Sequence, residues 1–179
     1  MIDNQESKLS KGSWAGLGKE LKKRTIEPLF HASFVIYFIV SVVIVGGAGI
    51  WLEIYAYNFP PLVDSGPPSL AALRTAFVTF FSALAGSACM QLIWAEDYLR
   101  SLRAFATLVL VVTSILALIV AIPAIHNVTA LCIGVASSLV ALWIWWVANA
   151  KQKDLLDPDA PTGGDPSAPL AGNLQGFNV

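Results

Sequence analysis

From Ala104 to Ala150 the chain runs 47 residues without one Asp, Glu, Lys or Arg. A single bilayer span takes about 20 apolar residues, so one span does not use the stretch up. It is interrupted once, where Pro123 is followed by His126 and Asn127. Proline withholds a backbone donor, and these are the only strongly polar groups nearby, so a turn is expected there. The stretch predicts a transmembrane hairpin with helices over about 104–124 and 128–149.

Two further apolar runs precede it. A first span is expected over about 29–55, with a charge-free core from Ala32 to Leu52 rich in Val, Ile and Phe. In lipid a backbone must bond within its own segment, so β-branched residues do not prevent a helix. Trp51, Tyr55, Tyr57 and Phe59 form an aromatic girdle at its far end. The link that follows contains Pro60, Pro61, Pro67 and Pro68, so it is not helical. A second span is expected over about 69–95, followed by a charged turn from Glu96 to Arg103. The fold class is therefore an all-α integral membrane protein with four transmembrane helices in a bundle. Composition agrees: 13% of residues are charged and mean hydropathy is +0.66, against about 25% charged in soluble domains.

Residues 1–28 form a basic cytoplasmic segment holding Lys8, Lys11, Lys19, Lys22, Lys23 and Arg24, six of the eleven basic residues. Trp14, Leu17 and Leu21 recur at i, i+3 and i+7, which places them on one face of a helix. A basic helix with such a stripe suits the membrane surface, its lysines among anionic headgroups. No cleaved signal peptide is expected, because the first apolar run begins too far in and is too long. Residues 151–179 read as a Pro-, Gly- and Ala-rich flexible cytoplasmic tail. Its end regains Leu174, Phe177 and Val179, a pattern that resembles the carboxyl-terminal ligands of PDZ-type grooves.

With four spans both termini share one side. Ten of the eleven Lys and Arg residues lie on that side and only Arg74 on the other. This asymmetry predicts cytoplasmic termini and a bacterial inner membrane. Asn127 opens a glycosylation-like triplet, which a turn at the membrane surface would not expose to use.

The catalytic inventory is thin. His31 and His126 fall at opposite membrane faces, and Cys89 and Cys132 sit inside apolar runs as packing thiols. No phosphate-binding loop, nucleophile elbow or His-Glu-x-x-His motif occurs, and no acid lies at mid-bilayer to relay protons. No enzyme activity, no cofactor and no metal are expected. Nothing is basic enough for nucleic acid.

What remains are packing and charge. Glu53 and Arg74 each fall near the outer end of a span, where an interhelical ion pair would offset the cost of two charges in low dielectric. Gly46 and Gly49 align with Glu53 at i, i+3 and i+7. Small residues mark helix-packing faces at Ser82 and Gly86 in the second span, and at Ala130, Gly134 and Ser138 in the fourth. Gln91 is expected to hydrogen-bond to a neighbouring helix.

Two functional readings follow. In the first, the chain is a non-enzymatic membrane subunit that forms a homo-oligomer in the bilayer and recruits or regulates a soluble cytoplasmic protein. In the second, several copies form a small channel or permeabilising effector, with Ser82, Ser87 and Gln91 facing water. A third is a membrane immunity or accessory protein. The layout is similar to that of small four-span membrane components of bacterial anti-phage systems.

Overall fold

The computed structural model describes residues 16–59, 70–94, 100–152 and 155–156. Trp14 and the tail residues Leu174, Phe177 and Val179 lie outside them. Among the described residues the structure is all-helical, with no strand. Helix α1 covers 16–26 and tightens into a 3-10 turn over Glu27–Phe30. Helix α2 is Ala32–Tyr37, which widens into a π-helix over Phe38–Val45; α3 is Ala48–Asn58. Then come α4 (Leu70–Trp94), α5 (Arg100–Ala121) and α6 (Asn127–Asn149). α4, α5 and α6 are each long and apolar enough to cross a membrane.

The centre of the bundle is α4. It packs most extensively on α6 and next on α5, whereas the α5–α6 hairpin is less closely packed between its own two arms. The reason is side-chain size. α4 buries Phe81, Ala85, Ala88, Cys89 and Leu92, spaced at helical intervals of three, four and seven, and α6 meets it with Ala130, Gly134, Ser137, Ser138 and Ala141. A Cβ at Gly134 would lie 3.0 Å from Cβ of Phe77, so only glycine admits this approach without a shift. Between apolar helices in lipid such close contact is the source of association, because no hydrophobic force operates there. α5 buries Leu102, Ala106, Thr113 and Val120 and exposes Leu108, Val111, Ile115 and Leu118, a face that suits hydrocarbon.

The segment expected as a first span over 29–55 is not a single helix; the bent pair Gly16–Phe30 and Ala32–Val45 is apolar enough to cross a membrane only when taken together. α1 and α2 turn through 94° around His31, so residues 27–30 belong to the surface helix and its corner. Above the corner, the amide of Gly46 donates to the carbonyl of Ser41, five residues back, at 3.0 Å, which is the π pattern. Gly46 and Gly47 then break the helix. A Cβ at Gly47 would collide with the Val43 carbonyl oxygen. The indole of Trp51 donates to the same carbonyl at 3.0 Å and pins the break. The β-branched run supplies no breaker of its own; the glycine pair does.

The basic helix α1 also lies differently from expectation. Leu17 is only 4% exposed and packs with Ala88, Cys89, Leu92, Leu102, Ala106 and Ile144, with Leu21 beside it. The apolar stripe therefore faces protein, covering one end of the bundle. Periodicity marks which face is apolar and leaves open what covers it. The exposed face instead carries Lys19, Lys22 and Lys23, running on to Ile26, Leu29 and Phe30.

Candidate functional site

Two sites stand out, a polar latch at the tryptophan end of the bundle and a groove along its side. The latch is built where α1 passes beneath α6. Glu20 Oε1 accepts from Nε of Arg24 at 2.8 Å and from Nζ of Lys151 at 2.7 Å. These two bonds, that with Lys151 foremost, hold the Glu20 carboxyl below the ordinary 4.5, against a smaller opposing push from burial. Arg24 is buried and reaches the Val147 carbonyl of α6. It therefore works inside the protein and not among lipid headgroups. Lys19, Lys22 and Lys23 remain exposed.

Next along the chain, Thr25 is clamped by two indoles. Trp143 donates to its hydroxyl at 3.2 Å and Trp146 to its carbonyl at 3.1 Å. Phe34 and Phe38 meet Trp146 edge to face and Trp145 at a tilt, with Tyr37 stacked on Trp145 at 6.1 Å between ring centroids. Trp143, Trp145 and Trp146 thus hold the corner of the chain. An indole suits this, with an apolar body to pack and one N–H to satisfy.

The groove runs between α2–α3 and α4. Its volume is about 910 Å³. α4 lines it with Ala72, Thr75, Ala76, Thr79, Ala83 and Ser87; the first span contributes Ser41, Gly46, Gly49 and Glu53. One end is closed by Tyr37 and Trp145 and the other carries Glu53. Thr75 and Thr79 donate their hydroxyl protons to carbonyls four residues back on α4, and Ser87 donates to Leu84. These hydroxyls therefore turn only lone pairs to the groove. Gly46, Gly49 and Glu53 share this face, but not as a close helix contact: nothing lies within 4 Å of a Cβ built at Gly49 or at Gly86.

The structure does not bring Glu53 and Arg74 together. Arg74 is buried and turns to the end of the α5–α6 hairpin, donating to the carbonyls of Val120, Ile122 and Ile125 and to Oδ1 of Asn127. The last carbonyls of a helix have no partner in their own backbone and are close to a full negative half-charge together. The guanidinium fork answers several of them at once, which one carboxylate cannot rival. The signal was present in sequence as a lone Arg within reach of a Pro-containing turn.

Of the other polar residues, Ser82 and Ser137 have buried hydroxyls without a partner, Ser87 lines the groove, and Gln91 is exposed. Ser82, Ser87 and Gln91 therefore do not form one polar stripe. Cys89 is buried and Cys132 exposed, both free. Among the described residues no three His, Cys, Asp or Glu side chains gather where a metal could be held. No family model matches the chain, and no curated protein or solved structure matches it either.

Proposed function

We propose that this chain is a non-enzymatic, multi-pass subunit of a bacterial inner membrane, with both termini cytoplasmic. It anchors there as a homo-oligomer and recruits or regulates a soluble cytoplasmic protein. The observation that carries this reading is the latch. Glu20 ties the basic helix to Lys151, the point at which the C-terminal segment leaves α6. A protein gripping the segment ending in Leu174, Phe177 and Val179 would pull on the same carboxylate that seats α1. The ten-to-one bias of Lys and Arg supports placing both segments on the cytoplasmic side.

The channel reading gains less support, since its polar residues are scattered over buried, groove-lining and exposed positions. The test is affinity purification in mild detergent followed by native mass spectrometry. A stoichiometric soluble partner that is lost on deleting residues 170–179 is the expected result. A partner-free oligomer that conducts across planar bilayers would overturn it.

A further inference from the structure

We infer that the groove between α2–α3 and α4 is a binding site for an ethanolamine-headed phospholipid, its ammonium on Glu53 and its hydrocarbon along α4. The proposal does not depend on the partner-recruiting role and is carried by the shape and chemistry of the groove.

From Ala72 to Ser87 the lining of α4 spans about 22 Å at 1.5 Å per residue. The groove runs lengthwise along one helix, a shape that suits extended hydrocarbon chains.

Charge decides the head. Among the described residues that line the groove, Glu53 is the one ionisable carboxylate, and no Lys, Arg or His accompanies it. The guanidinium that sequence alone pairs with it is engaged on the hairpin carbonyls. A carboxylate at the margin of hydrocarbon is costly without a cation. The hydroxyls of Thr75, Thr79 and Ser87 add acceptors, not donors, to the wall. At the Glu53 end an anionic head would meet a carboxylate and the lone pairs of Thr75. A primary ammonium carries three N–H donors and meets both; a choline head carries the charge but no donor.

Shape agrees with a ligand that enters sideways from the bilayer. The wall includes Gly46, Gly49, Ala72, Ala76 and Ala83, and nothing lies near a Cβ built at Gly49, so an occupant need displace no side chain there.

The test is a native mass-spectrometry titration of the full chain in mild detergent. Dioleoyl phospholipids with ethanolamine, choline and glycerol heads are the probes. One ethanolamine lipid per chain should be retained at least tenfold more tightly than either of the others. Glu53→Gln should remove about tenfold of that preference, the worth of one charge-assisted hydrogen bond, while leaving weak retention of all three. Gly49→Leu, which fills the open space of the wall, should abolish retention of all three with helical circular dichroism unchanged. Equal retention of the three lipids, an ethanolamine preference untouched by Glu53→Gln, or a second chain occupying the groove would each overturn the assignment.

Discussion

The two sides of α4 are both lined with small residues, yet one is closed and the other open. Toward α5 and α6, Ala85, Ala88 and Cys89 are fully buried, and Gly134 rests on Phe77. Toward the first span, Ala72, Ala76, Thr79 and Ala83 line a groove. The difference lies in the partner helix. α6 is regular and brings its own small residues at four-residue spacing, so two smooth faces meet along their length. The first span bends at His31, widens through a π-helix and breaks at Gly46 and Gly47. It touches the bundle through its aromatic corner and through α3, and stands off between. Small residues permit close packing; a straight partner is what completes it.

The comparison can be broken most strongly at Arg74. Arg74→Leu removes the donor shared by the carbonyls of Val120, Ile122 and Ile125, of which Ile122 keeps its bond from the Ile125 amide, and a loss of about 3 kcal/mol is expected. Steric-trap unfolding in detergent would measure it, and Arg74→Lys should recover only part because an ammonium lacks the fork. Gly134→Val should cost about 2 kcal/mol by overpacking against Phe77. Gly49→Val, on the open side, should stay within about 0.5 kcal/mol in the same assay. Equal effects at the two glycines would mean that the groove closes on the bundle.

A smaller effect is expected at the break itself. Gly47→Ala sets a Cβ against the Val43 carbonyl and should cost about 1 kcal/mol, read as a lower midpoint of thermal unfolding. The smallest concerns the latch. Because Glu20 is partly exposed, Glu20→Gln should cost less than about 1 kcal/mol. Its folded pKa lies below 4.5, so the stabilisation is fully present above that value and is lost as pH falls through the lowered one. Indole fluorescence should therefore report loosening of α1 on acidification, and Glu20→Gln should abolish that pH dependence.

Much of this architecture is legible in the residues. Spans expected over 69–95, 104–124 and 128–149 appear as helices over Leu70–Trp94, Arg100–Ala121 and Asn127–Asn149, because charge-free length and a proline turn are local signals. α5 begins earlier than expected because Arg100 and Arg103 extend the helix as its first turn, where charged residues cost little outside the apolar stretch. Less legible is what covers a face. Leu17 and Leu21 stand at amphipathic spacing whether lipid or protein lies against them, and only the neighbours Ala88, Leu92 and Ile144 decide it. The partner of Arg74 was hidden for a related reason. Opposite side-chain charges are visible in a sequence, whereas the bare carbonyls at the end of α5 are not. The groove is hidden in the sequence for both reasons, since it exists where the chain before α4 is not straight and where Glu53 has no cation beside it among the described lining residues.

Arg74 also imposes an order on how the molecule is made. The chain emerges from the ribosome with Arg74 46 residues ahead of Val120, an interval of about 2–9 s at 5–20 residues per second. Throughout that interval α4 carries a cation whose acceptors do not yet exist, and a bare guanidinium resists entry into hydrocarbon. α4 therefore settles only when the hairpin behind it arrives, and two later helices admit the one on which the bundle is centred.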